Sequence, residues 1–191
     1  MISSSVSGKN WIYKKFNSAD VSSFSEKYSL SNITAKLLSI RKENIENIDL
    51  YLYPKIKNLL PNPMSLKDME NAVNRTYKCI SNNDLICVFG DYDVDGATST
   101  AILTKYFILI NQKVKNYIPD RFSEGYGPSK EAFKKLIDQG SKLIFTVDCG
   151  TLSFDAIDYA FRNKTDVIVL DHHQSEINLP KAYSIVNPNR L

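Results

Sequence analysis

From residue 84 onward the chain alternates short apolar runs with amphipathic helical segments, and this alternation restricts the folds it can adopt. The run LICVFG is continuously apolar, which is typical of a parallel strand buried on both faces, and KLIFTV predicts another strand. Between two strands, SKEAFKKLIDQG predicts a helix capped by Ser129 and ended by Gly140. The repeated alternation predicts an α/β fold, a parallel sheet flanked by helices. Four strands follow from this pattern, and YSIV is a candidate for a fifth.

The first eighty residues have a different pattern, helical and rich in loops. SNITAKLLSIRK predicts a helix with Ser31 as its N-cap, whereas the prolines of YLYPKIKNLLPNP predict short turns. SLKDMENAVNRTYKCI predicts a helix capped by Ser65. Its apolar stripe, which we expect to be core, comprises Leu66, Met69, Val73, Tyr77 and Ile80. We therefore predict a helical N-terminal region over residues 1–80, packed on the core, and a catalytic α/β domain over residues 81–191.

Composition narrows the class of protein without naming its function. The net charge of +3 over 191 residues permits a polyanionic partner but does not require one, so any nucleic-acid site must be argued from particular residues. The three cysteines form no C-x-x-C pair, which favours buried or free thiols. Neither a signal peptide nor a membrane span stands out. A soluble cytoplasmic protein without membrane contact is expected.

Polar residues cluster where the predicted strands end. One such aspartate is as readily a helix cap as a functional group, but four strand ends carrying them point to a shared site. In open α/β sheets, ligands bind at that edge. In strand order, the residues are Asp91, Asp93 and Asp95; Pro119, Asp120 and Arg121; Asp148; and Asp171, His172 and His173.

The residue types of this cluster indicate its chemistry. Crowded carboxylates raise one another's pKa unless a cation neutralises them, and a mixture with imidazoles suits Mn²⁺ or Mg²⁺. Two such cations activate water and support displacement at phosphorus. Gly96 and Gly150 open helices where backbone N–H groups favour a phosphate. We therefore predict metal-assisted hydrolysis of a phosphoester.

Other residues near these strand ends admit two interpretations each. Arg121 either binds phosphate or pairs with Asp120 or Glu124. Tyr126, between two glycines, either faces a base or sugar or packs internally. Cys149 is interpreted as a small buried thiol rather than a nucleophile, because no dedicated base accompanies it.

The ordered motifs GDYDVDG, IPDRFSEGYG, TVDCGT and LDHHQ resemble those of the DHH phosphoesterase superfamily, and more narrowly the RecJ-type single-stranded-DNA-specific exonucleases. The resemblance covers nearly the whole chain. It implies a Rossmann-like DHH domain that hydrolyses single-stranded DNA in the 5′→3′ direction with Mn²⁺ or Mg²⁺, in DNA repair and recombination. Single-stranded DNA would then be the partner of this protein. We expect the protein to be a monomer.

The resemblance also implies a role for individual residues. Asp93 and Asp95 match metal ligands, and Asp91 matches either a ligand or a close support. Asp148 matches the carboxylate that bridges two cations, and His172 matches a ligand histidine. Asp171 and His173 would support His172 or contact phosphate. By this resemblance the catalytic residues are Asp148, His172 and His173, and Arg121, Gly96, Gly150, Tyr126 and His173 are the substrate or phosphate residues.

One departure from the family pattern affects the metal site. Family members carry a further aspartate downstream of the histidines, which completes the second metal site, and no aspartate follows Asp171 here. The second lobe is also absent, which makes the chain resemble an N-terminal domain produced by truncation, cloning or a split gene. In the last case a separate polypeptide would carry the missing lobe.

Three alternatives remain open. In a haloacid-dehalogenase-like phosphatase, Asp93 would be the nucleophile and Asp95 the acid and base. A DHH phosphoesterase of short oligonucleotides or small phosphoesters is the second, and an inactive remnant or binding module is the third.

Overall fold

The computed structural model describes residues 5–42 and 45–190. These fall into two compact units, Met1–Pro61 and Asn62–Leu191. The first unit contains α1 (Ser18–Tyr28), α2 (Asn32–Arg41), α3 (Ile48–Leu52) and α4 (Ile56–Leu59). Its helices α1 and α2 pack through Val21, Phe24, Ala35 and Leu38. Ser31 caps α2 as predicted, with its hydroxyl accepting from the Thr34 N–H.

The second unit contains a five-stranded, all-parallel sheet in the order β2-β1-β3-β4-β5. The predicted α/β fold is confirmed, and so is its fifth strand. In chain order the elements are a 3-10 turn (Pro63–Ser65), α5 (Met69–Ser81), β1 (Ile86–Gly90), α6 (Val94–Leu109), β2 (Val114–Tyr117), α7 (Lys130–Asp138), β3 (Leu143–Val147), α8 (Phe154–Arg162), β4 (Asp166–Leu170) and β5 (Ser184–Val186).

Helices cover both faces of this sheet. On one face, α5 and α6 pack on alternate residues of the central strands, including Val88 and Phe145. On the other face, α7 and α8 pack on the intervening residues, including Phe89 and Ile144. Because β1 and β3 are buried along their whole length, their sequences are mostly apolar rather than alternating.

Several local features of the second unit match the predictions. Ser129 caps α7 and Gly140 follows it with φ +92°, as predicted. Cys79, Cys87 and Cys149 are free and buried, also as predicted. No helix of the described ranges 5–42 and 45–190 is long and apolar enough to cross a membrane.

The prediction for α5 was wrong in two respects. Its N-cap position is Asp68, because Ser65 belongs to the preceding 3-10 turn. Leu66, Met69 and Ile80 of the predicted stripe are partly buried and pack against the core as expected. Val73 and Tyr77 do not, since they are 49% and 72% exposed, and the buried residues of α5 are Ala72 and Cys79. The first compact unit ends at Pro61, earlier than the predicted region 1–80, because α5 packs against the sheet and belongs to the second unit.

Candidate metal and phosphate site

The strand order creates a crevice between β1 and β3. These strands are neighbours, but the connection after β1 runs to β2 and the one after β3 runs to β4, in opposite directions along the sheet. Such a reversal is where open α/β sheets bind ligands, outside the carboxyl ends of the two strands. Asp91 directly follows β1 and Asp148 directly follows β3. The two carboxylates therefore flank the crevice.

Asp91 is buried without a complete set of partners. The residue is 1% exposed, and its Oδ1 has no hydrogen-bond partner among the described residues. A buried carboxylate oxygen without a partner is costly unless a cation neutralises it. Gly96 makes this burial possible, because a Cβ there would lie 2.4 Å from the Asp91 carbonyl oxygen. The glycine is thus required for close packing.

Asp93 begins α6 as its N-cap. Its carboxylate accepts from the Gly96 N–H at 2.9 Å. This bond lowers the pKa of Asp93, and burial opposes it only in part. The Gly96 N–H is already engaged, so the predicted phosphate contact of Gly96 has no free donor in this arrangement.

Asp148 has a backbone conformation that few residues adopt. Its φ is +59°, in the left-handed region that Asp and Asn tolerate better than other non-glycine residues. The residue is 7% exposed, and its Oδ1 lies 2.9 Å from Nε2 of His172. Burial and the nearby Asp93 charge raise the pKa of Asp148, while His172 opposes them. The site is therefore short of positive charge.

Asp171 organises the two histidines from β4. Its Oδ1 accepts from the backbone N–H groups of His172 and His173, at 2.7 and 3.1 Å, and from Nδ1 of His173 at 2.7 Å. Its Oδ2 accepts from the Thr151 N–H at 3.0 Å. Burial raises the pKa of Asp171, but the bonds from Thr151 and His173 outweigh it and the net shift is downward. The bond from Asp171 raises the pKa of His173.

Three of the predicted residues form a group that fits a divalent cation. Within the described residues, ligand atoms of Asp148, His172 and His173 all lie within 4.8 Å of one another. The 2.9 Å separation of the Asp148 and His172 atoms matches adjacent ligands on an octahedral cation with bonds of about 2.1 Å. Carboxylate oxygens suit Mn²⁺ or Mg²⁺, and this group contains no thiolate of the kind found in sulfur-rich zinc sites. Together with the unpaired oxygen of Asp91, this donor set fits the predicted metal.

Asp95 lies apart from the three-residue group. It is exposed in the first turn of α6 and lines a cavity of about 550 Å³ that Asp148, Asp171 and His172 also line. Asp93 likewise lies outside this group, whose ligand atoms are within 4.8 Å of one another. The structure thus brings all the predicted carboxylates to one edge, but only one of them joins both histidines at ligand spacing.

The loop after β2 carries the predicted phosphate residues. The Arg121 guanidinium lies over the Tyr92 ring, 5.3 Å from its centroid, and Tyr126 meets the same ring edge-on at 6.1 Å. Burial raises the pKa of Tyr126 to about 12, and the Asp91 charge adds to this effect. Glu124 pairs with Lys135 at 3.0 Å, so Arg121 is not the partner of that carboxylate. Arg121 therefore lies on the same edge as the carboxylates.

Two further residues considered in the sequence follow Asp148 in the loop after β3. Gly150 has φ +110°, and a Cβ there would lie 2.4 Å from Oγ1 of Thr146. Burial raises the pKa of the Cys149 thiol, which agrees with an unreactive side chain. Thr151 and Asn187, which hydrogen-bond each other at 2.9 Å, were missed. VNPNR after the last strand was a signal for Asn187, because it too is polar at a strand end.

Comparisons with known proteins identify the family of this chain. A family model described as the DHH family, N-terminal domain, matches residues 85–191. The single-stranded-DNA-specific exonuclease RecJ of Bacillus subtilis is 34% identical over 181 residues, which are 94% of this chain and 23% of that relative. The chain therefore spans about a quarter of the length of this curated relative.

Two solved structures share the fold. A crystal structure of exonuclease RecJ bound to manganese aligns with a TM-score of 0.62 and 33% identity, covering 67% of this chain and 33% of that one. RecJ in complex with Mn²⁺ from Thermus thermophilus aligns with a TM-score of 0.63 and 25% identity, covering 89% of this chain and 23% of that one.

Proposed function

This chain belongs to the DHH family, and on that premise we propose that it carries the cation-binding residues of an exonuclease that hydrolyses single-stranded DNA. The observation that carries the proposal is the grouping of Asp148, His172 and His173 at ligand spacing, together with a buried Asp91 oxygen that has no hydrogen-bond partner within residues 5–42 and 45–190. The names of the relative and the neighbours, an exonuclease of single-stranded DNA and manganese-bound RecJ, support the substrate and the metal.

The cation-binding residues divide into two groups. Asp148, His172 and His173 would hold one divalent cation, with Asp91, Asp93 and Asp95 as the carboxylates available for that cation or a second one. When bound, Mn²⁺ or Mg²⁺ supplies charge stabilisation at phosphorus and lowers the pKa of water. The Nδ1 atom of His173 is held by Asp171. Its Nε2 is therefore the nitrogen left to face a phosphate oxygen or a cation.

Arg121 and Tyr126 would position the DNA strand. Arginine presents two donors to a phosphate, and stacking of Arg121 over Tyr92 leaves the edge of its guanidinium available for them. Tyr126 is 60% exposed, so its ring is accessible to a sugar or base. The 5′→3′ polarity, the role in repair and recombination, and the cytoplasmic location are parts of the proposal that the family resemblance suggests.

A direct assay uses the full chain with single-stranded DNA labelled at either end, Mn²⁺, and a chelator control. We expect release of the 5′ label as a mononucleotide before the 3′ label, and no release with the chelator. Asp148→Asn should reduce the rate by at least about 100-fold, because loss of a residue that merely supports a metal ligand already costs about 10–100-fold. Asparagine is chosen because it tolerates the φ of +59°.

The matched control is Asp138→Asn. Asp138 is a solvent-exposed aspartate on α7 whose carboxylate pairs with Lys134. Its replacement should leave the rate unchanged. Release without added metal, or equal rates for the two variants, would contradict the proposal. Mn²⁺ binding without DNA hydrolysis would contradict the enzymatic part and favour a binding module.

A further inference from the structure

The two histidines lie in a loop, yet every polar group of their backbone is bonded to a side chain. Asp171 accepts from both N–H groups, as described above. The two carbonyl groups accept hydrogen bonds from asparagine side chains that follow β5. The Asn187 amide donates to the His173 carbonyl at 2.9 Å, and the Asn189 amide donates to the His172 carbonyl. A loop without regular secondary structure is thus fixed at four points.

Asn187 is the buried member of this pair. It is 2% exposed, and its second N–H donates to Oγ1 of Thr151 at 2.9 Å. Its Oδ1 accepts from the Asn189 N–H at 2.8 Å. Both donors and the acceptor are therefore used, and they define which way the amide faces. A rotated amide would place its oxygen against the His173 carbonyl.

Through Thr151, the same amide reaches the loop that carries Asp148. The Thr151 N–H donates to Asp171, and its hydroxyl oxygen accepts from Asn187. The strand ends of β3, β4 and β5 are thereby joined in one hydrogen-bonded network. Meanwhile the histidine side chains are 61% and 49% exposed, so packing contributes little to their orientation. The backbone bonds therefore position these rings together with the ring bonds to Asp148 and Asp171.

We propose that Asn187 and Asn189 are positioning residues that hold the His172–His173 backbone in the geometry a divalent cation requires. This inference rests on the proposed function for its cation, but the carbonyl contacts do not depend on hydrolysis. Asn189 reaches the His172 carbonyl from an exposed position, and Ser175 in turn donates to the Asn189 carbonyl at 2.9 Å. The pair acts on backbone atoms and touches neither ring.

The test compares Asn187→Asp, Asn189→Ala and Asn189→Gln in the full chain. Asn187→Asp keeps the size of the side chain but places an oxygen against the His173 carbonyl. Asn189→Ala removes the donor at an exposed position. Asn189→Gln restores an amide on a longer stem, and we expect it to recover the wild-type behaviour. The control is Asn163→Ala, since the exposed Asn163 also donates to a carbonyl, that of Tyr159, at 2.8 Å.

Two measurements decide the outcome. Mn²⁺ titration by electron paramagnetic resonance should show the dissociation constant rising about 10–100-fold in Asn187→Asp and Asn189→Ala, and unchanged in Asn163→Ala. Amide hydrogen exchange of the metal-free chain should accelerate at His172 and His173 in the same two variants. The exchange readout applies even if wild type hydrolyses no DNA or binds no Mn²⁺, so failure of the proposed function is distinguishable from failure of this one.

A merely structural role would give a different result. In that case the melting temperature would fall while the Mn²⁺ dissociation constant of the remaining folded protein and the exchange at the two histidines stayed at wild-type values. That outcome would overturn the inference. So would failure of Asn189→Gln to behave better than Asn189→Ala, because the argument depends on the amide donor.

Discussion

Replacement of Gly150 by alanine tests the close packing behind Asp148. Gly150 has φ +110°, where an L-residue is strained, and the added Cβ would lie 2.4 Å from Oγ1 and 3.0 Å from Cβ of Thr146. Backbone strain of this kind costs about 1–3 kcal/mol. Overpacking in a buried position costs about 1–3 kcal/mol more. We therefore expect Gly150→Ala to lower the free energy of unfolding by about 2–6 kcal/mol.

Gly140→Ala is the matched control. Gly140 also has a left-handed φ, +92°, but a Cβ there would meet no described atom within 4 Å. Replacing glycine by alanine lowers the conformational entropy of the unfolded chain equally in both variants. This effect therefore cancels in the difference between their free energies of unfolding. Urea unfolding followed by far-UV circular dichroism should show Gly150→Ala to be less stable than Gly140→Ala by about 1–3 kcal/mol, the overpacking cost alone.

A double variant isolates the contact itself. Oγ1 of Thr146 is buried and has no hydrogen-bond partner in the described part of the chain, so its loss removes no bond. The effect of Thr146→Ala on the free energy of unfolding should therefore be more favourable by about 1–2 kcal/mol in the Gly150→Ala variant than in the wild type. Equal stabilities for the two glycine variants, or no coupling to Thr146, would refute the steric reasoning.

Three further predictions concern charge, the metal site and the core. The bond from Tyr117 lowers the pKa of Glu124 to about 2, so its contribution to stability is present above about pH 4.5 and lost as pH falls towards 2. The difference in free energy of unfolding between wild type and Glu124→Gln, about 1 kcal/mol after solvent screening, should vanish over that range when followed by urea denaturation. Asp148→Asn should stabilise the metal-free chain by about 0.5–2 kcal/mol in thermal unfolding, because it relieves a buried charge, and weaken Mn²⁺ binding in calorimetry. Phe133→Ala, at a fully buried ring 5.8 Å from that of Phe89, should cost about 3–5 kcal/mol in urea unfolding.

The parallel sheet was predictable because its signals are local. Continuous apolar runs identify strands buried on both faces, and the carboxyl ends of parallel strands meet at one edge whatever their order. Asp91, Asp148 and the Asp171–His173 segment were therefore placed on a common edge without knowledge of the topology. The order β2-β1-β3-β4-β5, which makes β1 and β3 neighbours, is a product of long-range pairing that no single segment specifies.

Two features could not be predicted from the sequence: the buried face of α5, which depends on a small rotation of the helix, and the hydrogen bonds of Asn187, whose partners are distant in the chain. The buried face of α5 runs through Ala72 and Cys79 rather than Val73 and Tyr77, and a rotation of about one residue separates these stripes. The partners of Asn187 lie 36 and 14 residues away, at Thr151 and His173. Hydrogen bonds across such separations have no periodicity that a sequence pattern can report.

The buried Asp91 oxygen, which has no partner in the part of the chain that the structure describes, has a thermodynamic consequence under the proposed function. A cation that neutralises it binds the folded chain and not the unfolded one, so stability becomes a function of free metal concentration. Ligand present at about 100 times its dissociation constant adds about 2.7 kcal/mol to the free energy of unfolding. Chelators would then act on this protein as mild denaturants. In a cell, its resistance to proteolysis would rise and fall with the supply of manganese or magnesium.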